Sequence, residues 1–143
     1  MLNYRLFLIF DTNLFITAMI DTVKKLKFRD AATIINAPAD LALEFDKLGF
    51  PNTFAGKPGT NTLVFIYNKA EFLDFLNNQL SNIVPDSVLW FAYPKGTSKI
   101  KTDIHRDIVR ETGESFNITT VTAVSINDTW SALRFRPIDR VGK

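Results

Sequence analysis

Three short runs of nearly unbroken apolar sequence limit what this chain can fold into more than any other feature. They fall at residues 32–36, where Thr33, Ile34 and Ile35 are β-branched, at 62–67 and at 88–93. A strand with one wet face alternates apolar and polar residues, whereas a strand covered on both faces stays apolar throughout. Each run is therefore expected to be a buried strand. Between the runs the apolar period becomes helical. Leu41, Phe45 and Leu48 share one stripe, with Asp40 placed as N-cap and Gly49 as the stop. Phe72, Leu73, Leu76, Leu80, Ile83 and Val84 share another, which predicts a helix from near Ala70 to a turn at Pro85 and Asp86. After the third run, Thr102 is expected to cap a helix carrying Ile104, Ile108 and Thr112 on one face, with Gly113 ending it. Residues 118–126 and 131–135 then alternate on either side of Asn127, Asp128 and Thr129, which predicts a closing antiparallel hairpin. Residues 50–61 are rich in turn formers and read as irregular.

Strand and helix in alternation predict an α/β fold: a mostly parallel, Rossmann-like sheet with helices on both faces and a C-terminal antiparallel hairpin. In such folds ligands collect outside the carboxyl ends of the strands. That edge is expected to gather the 36–39 turn that begins at Asn36, the 67–69 segment and the 93–101 loop.

From about residue 61 to residue 137 this order resembles the second half of a class I S-adenosylmethionine-dependent methyltransferase. There a turn like Val84-Pro85-Asp86-Ser87 leads into a strand, a helix and a terminal hairpin. The stretches LWFAYPKGTSKIKTD and DTWSALRFRP are also similar to a group of small bacterial proteins with a truncated Rossmann-like design, over residues 31–137. The resemblance implies a fold more than a reaction. Methyltransferases need a glycine-rich turn after the first strand and an acidic residue ending the second. The first turn here is Asn36-Ala37-Pro38-Ala39, without glycine, so S-adenosylmethionine is not expected as a cofactor, and no other is implied.

The chain has 143 residues, 46% hydrophobic and 22% charged, as an ordinary folded domain does. One domain is expected over residues 19–143, with residues 1–18 as an N-terminal extension and Met19 as a candidate first residue of the natural domain. The apolar stretch after Arg5 is interrupted at Asp11 and Asn13, too early for a signal peptide or for the roughly 20 residues of a membrane span. A cytoplasmic protein without a membrane partner is expected. The absence of cysteine excludes disulfides, thiolate metal sites and cysteine nucleophiles. Net charge is only +2, yet residues 95–143 hold nine Lys and Arg against six Asp and Glu, so an anionic partner is expected there.

The loop after the third run supplies Lys95, Gly96, Ser98, Lys99, Lys101 and Thr102, followed by Arg106 on the next helix. Amides at a helix N-terminus, the helix dipole and nearby lysines together can hold a phosphate or carboxylate. Asn36 is expected on the opposite lip, and Trp130, beside the hairpin turn, would pack a planar ligand or a partner. Neither a catalytic residue nor a metal ligand set is assigned. Residues 55–60 suggest a phosphate-binding loop, but Pro51 and Pro58 stand where that motif needs Gly and Ser or Thr. Arg134 and Arg136 are expected to share a strand face, but without interleaved stacking aromatics nucleic acid is not an expected partner. The leading expectation is a non-catalytic domain that binds a small anionic ligand or a protein partner at the carboxyl edge of its sheet, and homodimerisation through exposed strand or helix faces is a separate interaction reading. The alternative is a divergent transferase acting on a nucleotide-like substrate, with Asp103 or the lone His105 moving a proton.

Overall fold

Residues 19–143 are described by a computed structural model, and the N-terminal extension expected at 1–18 lies outside them. Helix α1 covers residues 19–26. There follow β1 (Thr33–Ile35), α2 (Ala39–Lys47), β2 (Gly59–Phe65), α3 (Lys69–Asn78), β3 (Ile83–Pro94), α4 (Arg106–Glu114), β4 (Ile118–Ser125) and β5 (Trp130–Pro137). Short 3-10 turns occupy Leu80–Asn82 and Ile138–Arg140. The five strands form one sheet in the order β1-β2-β3-β5-β4.

This is an α/β fold with a mixed sheet, and the expected mostly parallel, Rossmann-like sheet is overturned. β1, β2 and β3 run parallel, but β5 inserts between β3 and β4 and is antiparallel to both. A second difference lies in the handedness of the crossovers. α2 packs through Leu41 and Phe45 on the face that carries Phe65 and Trp90, whereas α3 packs through Phe72 and Phe75 on the face that carries Val64 and Phe91. Because β1, β2 and β3 advance in one direction across the sheet, crossovers on opposite faces have opposite hands. One of the two therefore departs from the right-handed rule that governs Rossmann units.

Burial on both faces explains the second and third apolar runs; β1, also expected to be covered on both faces, is a border strand in which only Ile34 is buried and Thr33 and Ile35 are half-buried. Along β2 and β3, alternate residues enter opposite layers: Leu63, Phe65, Val88 and Trp90 one, Val64, Leu89 and Phe91 the other. A wet face never occurs there, so alternation never appears in the sequence. The Trp90 indole N–H donates to the Leu26 carbonyl at 2.8 Å and ties the end of α1 to the sheet.

Several boundaries differ from expectation for identifiable reasons. α2 starts at Ala39 with Pro38 at its N-cap, which places Asp40 in the first turn, where its charge faces the positive end of the helix dipole. It ends in a Schellman motif: Gly49 at φ 84° donates to Asp46 O, Phe50 N–H donates to Phe45 O at 3.1 Å, and the two Phe rings pack 6.1 Å apart. α3 is capped by Asn68, whose side chain accepts from Glu71 N–H at 2.9 Å. It stops at Asn78, because the β-branched pair Ile83 and Val84 extends the helical spacing but belongs to β3.

Pro85 and Asp86, expected as a turn, form a bulge inside β3. The register jumps from Gly59 opposite Ile83 to Asn61 opposite Val88, with Asp86 at φ 60°. α4 starts at Arg106 with His105 as N-cap, not at Thr102. Gly113 lies inside α4 and does not end it. A Cβ there would collide with the Phe135 ring, so the glycine lets the helix lie directly on the sheet. Among the described residues, no helix is long and apolar enough to cross a membrane.

Candidate functional site

The carboxyl ends of β1, β2 and β3 converge with the start of β5, where Pro94 pairs with Trp130. The loop from Lys95 to Asp103 is pinned across this edge. Lys95 N–H donates to Thr129 O at 2.8 Å, and its ammonium donates to the Ser125 hydroxyl at 2.7 Å. A tight turn follows, with Ser98 N–H donating to Lys95 O at 2.9 Å. At the far end the Thr102 hydroxyl donates to Tyr67 O at 2.6 Å and accepts from Ile104 N–H, while Asp103 accepts from Lys69 N–H at 2.9 Å. Thr102 thus fastens the loop to the end of β2 and does not cap a helix.

Between these anchors Gly96, Lys99 and Lys101 are exposed. Among the described residues, no ion pair involves Lys95, Lys99, Lys101 or Arg106. The Ser98 hydroxyl is buried without a hydrogen-bond partner. Arg106 is the first residue of α4 and is exposed, three residues beyond the Asp103 anchor. The acidic residue Asp107 follows it in the same first turn, so the positive end of this helix already has a carboxylate.

The other lip has a different character. Asn36 adopts a left-handed backbone (φ 60°), which Asn tolerates better than most residues, and its amide donates to Phe65 O at 3.1 Å and to Glu71 Oε1 at 2.9 Å. Glu71 also accepts from Tyr67 N–H at 3.3 Å. Burial raises the Tyr67 phenol above its usual pKa, and the carboxylates of Glu71 and Asp40 push it further the same way. Asn36 walls two recesses of about 510 and 490 Å³, one against α2 and one against α3, and neither is lined by any residue of the 95–102 loop.

The edge therefore joins Lys95, Thr102, Tyr67 and Trp130 into one packed unit and places Asn36 on a separate, acidic side. Trp130 is 2% exposed, with its ring edge-to-face against Phe65 and Tyr67 at 5.1 and 4.9 Å, so it is a core side chain that supports the edge from beneath. His105 is exposed at the N-cap of α4 and makes no side-chain capping bond. Among the described residues, no three His, Asp or Glu side chains cluster to hold a metal ion.

Sequence reasoning missed the Asn36, Glu71 and Tyr67 network. The capping pattern Asn68-Lys69-Ala70-Glu71 was the available signal, since a carboxylate three residues after a cap sits where it can reach back. It also missed the ion cluster at the other end of the sheet, where Arg136 donates to Asp86 at 2.8 and 3.0 Å. Compared with known proteins, the chain matches no family model and no curated protein.

Proposed function

We propose that this chain is a non-catalytic binding domain whose 95–102 loop receives a small anionic ligand such as a phosphate or carboxylate. The observation that carries the reading is a loop fixed at both ends by hydrogen bonds while Lys99 and Lys101 between them point no charge into an ion pair. A pre-fixed loop loses little conformational entropy on binding, so modest electrostatic contacts suffice for measurable affinity. The Ser98 hydroxyl, expected at this site, is shut off from solvent and has no part in the contact. Asn36 has no part in this contact, because both of its amide hydrogens are directed to Phe65 and Glu71. Calorimetric titration with pyrophosphate tests the reading. Saturable binding that weakens with salt and drops about tenfold in a Lys99→Ala, Lys101→Ala variant is expected. Unchanged affinity in that variant contradicts it.

Self-association is a second reading, favoured by β4. This strand forms one border of the sheet, and its eight residues, ITTVTAVS, contain no charge and no proline. An uncharged, β-branched edge leaves backbone donors and acceptors open to another strand, and a second copy of β4 is self-complementary in antiparallel pairing. Light scattering should show a dimer that Thr122→Lys dissociates. A monomeric wild-type chain at high concentration rules this reading out.

A further inference from the structure

The end of the sheet opposite the basic loop holds an apolar slot of about 230 Å³. Its walls are Leu80 and Ile83 ahead of the β3 bulge, Leu89, Phe116 and Ile118 around the α4–β4 turn, and Phe135 of β5. Protein interiors are packed to crystal-like density, so an open recess walled by this many large apolar side chains is a place where contacts are left unmade. Two non-glycine residues beside it, Asp86 and Asn117, take left-handed backbone conformations at φ 60° and 67°. Asn117 O also accepts from Ile138 N–H at 3.0 Å, which fastens the C-terminal 3-10 turn to the slot.

Asp86 and Arg136 line the slot, and Arg140, which is not among the lining residues, lies beside them and leaves the charge there unbalanced. Asp86 receives two hydrogen bonds from the Arg136 guanidinium, and Arg140 approaches the same carboxylate only to 3.6 Å, with 56% of its side chain exposed. One carboxylate thus faces two guanidinium groups. Among the described residues, Asp139 of the same 3-10 turn forms no ion pair with either arginine. Arg136 is spent on Asp86, and Arg140 is the cation with donors to spare.

We propose that this slot binds a small amphipathic carboxylate, its ring or short acyl chain against the half-buried Leu80, Ile83 and Phe116 and its carboxylate on Arg140. The apolar walls select a hydrophobic body, and the surplus guanidinium selects a planar anion. The volume, below the roughly 300–1,000 Å³ of drug-sized sites, restricts the ligand to a single ring or a short chain. This site is independent of the 95–102 loop, so either can fail without the other.

The test uses the full chain and amide chemical shifts, with benzoate and hexanoate as probes and benzyl alcohol as the neutral control. Saturable shifts are expected at Ile83, Ser87, Asn117 and Arg136, with benzoate bound more tightly than the alcohol. Arg140→Gln, at an exposed position, should weaken benzoate about fivefold and leave the alcohol unaffected. The proposal is overturned by the absence of saturable shifts, by shifts confined to residues 95–102, by equal affinity for benzoate and benzyl alcohol, or by an Arg140→Gln variant that binds benzoate as the wild type does.

Discussion

The two ends of the sheet are finished by different physics. At the carboxyl ends of β1–β3, the closing contacts are hydrogen bonds to backbone atoms: Thr102 to Tyr67 O, Lys69 N–H to Asp103, Lys95 N–H to Thr129 O. At the opposite end a side-chain ion cluster, Asp86 with Arg136 and Arg140, borders an apolar slot. Backbone-directed bonds fix a loop's shape whatever its side chains, which frees Lys99 and Lys101 to face solvent. An ion cluster fixes only its own members. The first end is therefore suited to polar recognition, and the second to apolar recognition with a charged rim.

The largest effects should come from the aromatic side chains beneath each end. Trp130→Ala and Phe135→Ala each remove a ring that is at most 2% exposed, at an expected cost of about 3–5 kcal/mol by urea denaturation. Trp130→Ala should also loosen the 95–102 loop, seen as faster amide exchange, whereas Phe135→Ala should leave that loop protected until global unfolding. Equal loosening in both variants breaks the distinction between the ends. Gly113→Ala comes next. Pushing a methyl into Phe135 should cost about 1–3 kcal/mol, although alanine is the better helix former; a stabilised variant means that α4 does not lie on Phe135 as described.

Smaller effects should separate the ends by pH. The hydrogen bonds from Arg136, reinforced by its charge and by Arg140, hold the Asp86 carboxyl below its ordinary 3.8. Its contribution to stability is therefore present above pH 3.8 and lost as pH falls through the lowered folded value. Tyr67 behaves in the opposite sense. Its raised pKa means that its contribution is present below about pH 10.0 and lost as pH rises through the folded value. Asp86→Asn should flatten the acid limb of the stability profile and Tyr67→Phe the alkaline limb, each without altering the other. A single variant that changes both limbs contradicts the assignment.

Much of the secondary structure was legible because it depends on neighbours in sequence. Two-sided burial left β2 and β3 as unbroken apolar runs, and Gly49 marked the end of α2 through its need for a positive φ. The sheet's order was not legible. Nothing within the sequence of β5 says that it will lie between β3 and β4, nor does any residue of α2 or α3 reveal that crossovers covering opposite faces will advance in one direction across the sheet. Both facts arise from packing between distant segments. The candidate loop was legible as a basic stretch after a buried strand, but its anchors join residues about 30 positions apart, such as Lys95 with Ser125 and Thr102 with Tyr67. The ion pair of Asp86 with Arg136 spans 50 positions and exists only because β3 and β5 are neighbours. Gly113 was misread for a related reason: a glycine near a helix end suggests a stop, and only the nearby Phe135 ring reveals the packing requirement.

The proposed function requires that the carboxyl-edge loop, and not the opposite end, receive small polar anions. An amide chemical-shift map of the full chain titrated with inorganic phosphate tests it most directly. Saturable shifts at Gly96, Thr97, Ser98, Lys99 and Lys101, with Ile83 to Ser87 and Arg136 unmoved, are the predicted result. Shifts centred on Asp86 and Arg136, or no saturable shift in the loop, would contradict it.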